Sequence, residues 1–258
     1  MLDPLSSRPR VGLFVTCLVD LMRPSIAFAA AKLIEASGCE VIVPGRQTCC
    51  GQPAYNAGSA ADAADLARRA IAAFDGLDFV VAPSGSCAGM LKRHYPELLR
   101  DDPVWHGRAL AFAERVHELT AFLVDVRRLD GVPGRLVARA TYHDSCSGLR
   151  ELEVKRQPRE LLSKVEGLQL VEMADCEVCC GFGGMFSVRY PDISNAVVER
   201  KVDRAAAADG AELLLSGDLG CLLNMAGKLS RTQSALAVRH VAEVLAGELS
   251  DPPIGRPG

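Results

Sequence analysis

Ten cysteines, at positions 17, 39, 49, 50, 87, 146, 176, 179, 180 and 221, are the residues of this 258-residue chain best suited to chemistry. A thiolate is a nucleophile and a soft-metal ligand, so a set of thiols that converges in space implies metal or redox chemistry. Laid over itself, the chain puts eight of the ten in register. Cys17 falls on Cys146, Cys49 and Cys50 on Cys179 and Cys180, and Cys87 on Cys221. The spacing reads Cys-x31-Cys-Cys-x36-Cys in the first copy and Cys-x32-Cys-Cys-x40-Cys in the second. Four thiolates at one point suit zinc or an iron–sulfur cluster, and the adjacent pair favours the cluster. Structural zinc usually takes cysteines two to four residues apart, whereas neighbours in an irregular loop reach different irons more readily.

The flanking text repeats as well. TCCGQPAYNAG resembles VCCGFGGMFSV, VVAPSGSC resembles LLLSGDLGC, and RVHELTAFL around His117 answers RHVAEVLAG around His240, which predicts a similar helical segment at the end of each half. This long period implies two domain-sized copies, 1–130 and 131–258, joined through LDGVPGRLVAR at 129–139. Gly51 and Gly181, directly after the pairs, would let backbone amides approach cluster sulfur; tight turns alone also explain them.

The apolar runs VGLFVT from Val11, EVIV from Glu40 and FVVA from Phe79 read as buried strands, and ATYH from Ala140, LQLVEM from Leu168 and ELLLS from Glu212 repeat them. Between them lie helical patterns at Ser25 to Ser37, which Gly38 should stop, at Ala60 to Phe74, and at Ile193 to about Ala208. The fold class is therefore α/β: two pseudo-symmetric repeats, each a small parallel sheet with flanking helices. The cysteine-bearing loops leave the carboxyl ends of the strands, where open parallel sheets place their sites.

Other residues near these sets carry weaker signals. Cys39 and Cys176 have no counterpart in the other half; Cys39 reads as core, and Cys176 as a packing thiol or an extra ligand. His117 and His240 read as structural. His143, just ahead of Asp144 and Cys146, suits either an outer-sphere or proton-transfer role or a structural one. Gly85-Ser86-Cys87-Ala88-Gly89 has the form of a nucleophile elbow, so a hydrolase using Cys87 is a rival reading, but Leu219-Gly220-Cys221-Leu222-Leu223 keeps the cysteine and loses the elbow glycines. CGFGGMF lacks the spacing of a nucleotide loop.

Composition excludes other classes. Hydrophobic residues make up 49% and charged residues 24%, the net charge is −3, and no block of like charges offers a nucleic-acid or membrane patch. No apolar stretch approaches the ~20 residues that span a bilayer, and MLDPLSSRPR lacks the apolar run of a signal peptide. A cytoplasmic protein with reduced thiols is expected, rather than a disulfide-stapled secreted one.

The doubled cysteine pattern, each pair followed by glycine, resembles the cysteine-rich CCG domain of heterodisulfide reductase B subunits and glycolate oxidase iron–sulfur subunits. TCCGQPAYNAG, HDSCSGLRELEVKRQPRELL, CCGFGGMFSVRYPDIS and the stretch from SGDLGCLLNMAGKLSR to VRHVAEVL look closest to the LutA/YkgE family. The resemblance implies an electron-transfer subunit that works with other iron–sulfur and non-iron–sulfur subunits to oxidise L-lactate to pyruvate. It makes Cys17, Cys49, Cys50 and Cys87, then Cys146, Cys179, Cys180 and Cys221, the ligands of up to two clusters, expected to be of the 4Fe–4S kind. The heterodisulfide-reductase motif ends in C-x-x-C, whereas here Met90 and Asn224 stand at the last position. The absent fifth thiolate moves the expectation from substrate-reducing clusters toward relay. No flavin or nicotinamide motif is visible, so the chain alone is not expected to oxidise lactate.

Overall fold

The computed structural model describes residues 8–256, so most of the N-terminal segment MLDPLSSRPR lies outside the described residues. Two four-stranded parallel sheets are present. The first has the order β2-β1-β3-β4, from β1 (Arg10–Leu13), β2 (Glu40–Ile42), β3 (Phe79–Ala82) and β4 (Val116–Glu118). The second repeats it as β6-β5-β7-β8, from β5 (Arg135–Tyr142), β6 (Glu166–Leu170), β7 (Leu213–Ser216) and β8 (Ala237–His240). Registers correspond: Leu13 stands opposite Val81 in one sheet, as Tyr142 stands opposite Leu215 in the other.

The six strands expected from apolar runs are present with shifted ends, and β5 begins at Arg135, inside the stretch read as the junction. The outer strands β4 and β8 differ from expectation. Val116–Glu118 and Ala237–His240 lie where each half was expected to end in helix. Each is a short strand that hands over directly to a helix, Leu119–Ala121 or Val241–Ala246. These edges exist because β3 and β7 offer unpaired backbone groups, a tertiary cause that a local helical pattern conceals.

The helices follow from their apolar spacing. Ser25–Ala36 buries Ile26, Ala29, Ala30, Leu33 and Ile34 on one face and is stopped by Gly38, whose φ of +84° few other residues adopt. Ala60–Ala73 buries Ala63, Ala64, Ala67, Ala70 and Ile71, and Pro191–Ala206 takes the matching place in the second half. Each fully buried leucine or isoleucine among them contributes roughly 1.5–3 kcal/mol, and each alanine methyl about 0.8 kcal/mol.

Contacts between the halves come in reciprocal pairs. Ser25–Ala36 packs on Val241–Ala246, and Arg156–Leu162 packs on Leu119–Ala121. Cys17–Met22 touches Leu219–Arg231, and Gly85–Gly89 lies on Cys146–Leu152. This is the pattern a two-fold relation between halves requires. At the last contact a Cβ on Gly85 would stand 2.8 Å from the Gly148 Cα, so glycine is what allows the backbones to meet. A buried ion pair also crosses the seam, from Arg23 Nε to Glu243 Oε1 at 2.7 Å, and Ser25 Oγ donates to the same oxygen at 2.9 Å. One continuous hydrophobic cluster runs through both halves, from Val11 and Phe122 to Leu214 and Leu245.

Candidate metal centres

Each cysteine set is assembled by the carboxyl ends of three strands, although not all on loops as the sequence suggested. Cys17 and Cys146 are the first residues of helices Cys17–Met22 and Cys146–Leu152, while Cys87 and Cys221 sit in the first turns of Gly85–Gly89 and Leu219–Arg231. Only the adjacent pairs, Cys49 with Cys50 and Cys179 with Cys180, lie in irregular backbone. The helix starts are held by side chains: Thr16 accepts from the Val19 amide, Ser84 from the Cys87 amide and Asp218 from the Gly220 amide. Such caps each contribute about 1 kcal/mol and fix where the following cysteine points.

In the first half, Cys17 Sγ lies 3.7 Å from Cys49 Sγ, and Cys50 Sγ lies 3.4 Å from Cys87 Sγ. In the second, the Cys180 and Cys221 sulfurs lie within 4.8 Å of one another, and Cys146 and Cys180 act electrostatically on Cys179. The eight repeated cysteines thus form two groups of four. All ten thiols are free of disulfides. Cys39 is fully buried in the core, and Cys176 stands outside the second group, with Arg159 Nη2 3.8 Å from its sulfur.

The electrostatics repeat too. A shared proton from Cys17, together with bonds from Cys50 and backbone amides, pulls Cys49 down to about 2. Cys17 is pushed up by its bond to Cys49 and by burial. Cys179 falls to about 2 for the same reason, with Cys146 as its donor, and the Gly181 amide donates to its sulfur at 3.3 Å. Deprotonated thiols are the form that binds metal. The donor set therefore fits a soft metal: converging sulfurs, one in each set whose neighbours favour the thiolate, and amide donors at hand.

His143 belongs to the second group. It is fully buried, neither ring nitrogen has a hydrogen-bond partner, and its donor atom lies within 4.8 Å of the Cys180 and Cys221 sulfurs. Burial drives its pKa down to about 3, with the Lys201 charge acting in the same direction. His240, by contrast, caps a helix by accepting from the Ala242 amide at 3.2 Å, and His117 packs on Phe79.

The two groups open onto adjoining cavities of about 150 and 350 Å³ that share Gln52, Ser86, Phe182 and Asp218 as walls. Asp218 ties the groups together. One oxygen caps its own helix at Gly220, and the other accepts from Ser84 Oγ at 3.1 Å and the Ser86 amide at 2.9 Å in the first half. The sequence reading missed it. Its signal was an acidic residue just ahead of an apolar run, the mark of a helix cap.

This fold and its doubled thiol sets define a protein of tandem cysteine-rich units. The CCG cysteine-rich domain model matches residues 11–92 and 140–226. Curated relatives called lactate utilization protein A are 46% identical in an Exiguobacterium strain, over 92% of this chain and 97% of that protein, and 45% identical in Bacillus subtilis, over 92% and 98%. The chain belongs to the lactate utilization protein A family, within the CCG domain proteins. A solved hypothetical protein from Helicobacter pylori shares the fold at a TM-score of 0.59 and 12% identity, over 94% of this chain; the chain spans about half of that protein's length. Among the described residues no helix is long and apolar enough to cross a membrane.

Proposed function

We propose that the chain is an iron–sulfur electron-transfer subunit of a system that oxidises L-lactate to pyruvate, working beside iron–sulfur and non-iron–sulfur partner subunits. The observation that carries this reading is the convergence of Cys17, Cys49, Cys50 and Cys87 at one sheet end and of Cys146, Cys179, Cys180 and Cys221 at the other. A cluster held on such a set takes up and releases single electrons. The names of the relatives supply lactate. The chain's own residues supply thiols, amide donors at Gly51 and Gly181, and an apolar wall of Phe182 and Leu219.

One observation favours a second reading. Two thiolates on one tetrahedral metal at ~2.3 Å stand about 3.8 Å apart. The pairs at 3.7 and 3.4 Å match that separation, which zinc would also produce. Cys87 as a hydrolase nucleophile has less support, since its sulfur faces Cys50 and not an imidazole base.

Anaerobic purification followed by iron, sulfide and zinc analysis and a visible spectrum separates the readings. Iron and sulfide with broad visible absorption are expected; stoichiometric zinc without sulfide would refute the cluster. Cys87→Ser and Cys146→Ser should each lose metal from one half. A Cys146→Ser protein with full metal content would contradict two sites. Growth on lactate as sole carbon source should fail in a deletion strain and return with the wild-type gene.

A further inference from the structure

The two thiol sets match, but what surrounds them does not. The Phe14 amide donates to the Val81 carbonyl at 2.8 Å, and the His143 amide makes the same bond to Leu215 at 2.8 Å, so the two residues occupy one position in the repeat. In the first half that position is filled by a phenyl ring stacked on Phe74 at 5.5 Å. In the second it holds an imidazole with both nitrogens unpartnered, beside the Cys180 and Cys221 sulfurs.

A second difference lies on the next helix. Gly51 packs against Ala63 and Leu66, and Gly181 against Ser194 and Val197, which sets the correspondence of the two helices and puts Lys201 where the first half has Ala70. Lys201 is 2% exposed, and its ammonium is held by the Asp175 and Cys176 carbonyls at 2.7 and 2.9 Å, with no carboxylate bonded to it. Thiols in both sets are shifted chiefly by one another and by burial, but in the second half the Lys201 charge also acts on Cys221 and Arg150 on Cys146, whereas the causes at Cys17, Cys49 and Cys50 include no side-chain cation.

Resting on the cluster reading above, we infer that the second-half centre is the high-potential member of the pair, so that electrons pass from the Cys17 set to the Cys146 set, with His143 and Lys201 as the residues that impose the order. Reduction adds negative charge, which a buried ammonium and a nitrogen donor near sulfur stabilise more than the oxidised form. Burial cannot set the order, because Cys50 and Cys180 are each 2% exposed and Cys87 and Cys221 are 9% and 8% exposed. Two anions stand nearby, and Asp218 opposes Lys201 at Cys221. Asp144 is paired with Arg159 at 2.8 Å, and Asp218 lies between the sets, bonded to the helix starts that carry Cys87 and Cys221.

The test is a potentiometric titration of the full-length, iron- and sulfide-loaded protein followed by electron paramagnetic resonance. Two reduction steps are expected, with Cys146→Ala abolishing the higher one and Cys17→Ala the lower. His143→Phe, which installs the first half's residue, and Lys201→Met should each move the higher step to lower potential and leave the other in place, while Lys201→Arg keeps it near the wild-type value. Equal potentials, a higher step assigned to the Cys17 set, or a step unmoved in both His143→Phe and Lys201→Met at full iron content would overturn the inference and leave the cluster reading standing. Absence of iron and sulfide from the wild-type protein would overturn both.

Discussion

The glycines after the two cysteine pairs carry unequal burdens, and alanine substitution should reveal it. Gly51 has φ +84° and Gly181 has φ +81°, so alanine at either must adopt a left-handed conformation that costs about 1–2 kcal/mol. At Gly51 the new Cβ would meet Leu66 Cβ at 3.4 Å and the Ala63 carbonyl at 3.5 Å, ordinary contact that adds little. At Gly181 it would lie 2.7 Å from the Ser194 carbonyl and 3.2 Å from Val197 Cβ. The first of these is backbone in the middle of a helical turn and cannot swing away, so overpacking adds about 1–3 kcal/mol. Gly181→Ala should therefore destabilise by roughly 2–5 kcal/mol against roughly 1–2 for Gly51→Ala. It should also weaken metal retention in the second half, because the Gly181 amide that donates to Cys179 moves with the shift. Denaturant midpoints of both variants, with metal content of each, check this. Equal destabilisation, or a larger loss for Gly51→Ala, would refute the steric argument.

Two further substitutions test the buried charges. Burial raises the Glu118 carboxyl to about 7 from an ordinary 4.5, with Asp218 adding to the rise, although Thr120 and the Thr120 and Ala121 amides donate to it. The folded state thus holds this proton more tightly than the unfolded chain. The stability it contributes is complete below pH 4.5 and is lost as pH rises through about 7. The loss by pH 8 amounts to about 3 kcal/mol. Glu118→Gln should flatten that part of the stability profile, measured by denaturation from pH 4.5 to 8; an unchanged slope would refute the assignment. Arg159→Met should cost about 3–5 kcal/mol, since it leaves the fully buried Asp144 carboxylate without its cation. Asp144→Asn with Arg159→Met should recover part of that loss, and a double variant no better than the single one would count against an ion-pair origin.

The repeat made most of the fold legible, because strand runs, helix spacing and ligand positions recurred in step. What stayed hidden depended on distant partners. Nothing local marks Val116–Glu118 or Ala237–His240 as strands; they are strands because β3 and β7 lie alongside. Lys201 was visible only in part. In Pro191–Ala206 it shares a face with Ser194, Val198 and Ala205, all buried, so a lysine stood where periodicity calls for an apolar residue. His143 was noted beside the second set, but its lack of partners is a property of the folded interior. The comparison with Phe14, which gives it meaning, needed the paired backbone bonds.

A buried group of four thiolates concentrates negative charge, and the fold has two means of offsetting it. The one common to both halves is backbone: the outer cysteines stand in the first turns of helices, where amides are not used by the helix itself, and a left-handed glycine turns its amide toward the inner pair. That device depends on main-chain geometry, so it survives wherever the strands, turns and glycines survive, and both copies have it. The other means is side-chain charge, which the second copy adds in Lys201 and Arg150. A backbone device shared by both sites lets either hold a metal, but by itself it gives no reason for an electron to prefer one. Under the proposed cluster reading, the difference in charge between two sites facing adjoining cavities supplies that reason, and it arises at positions where the repeat has diverged while the cysteines have stayed in register.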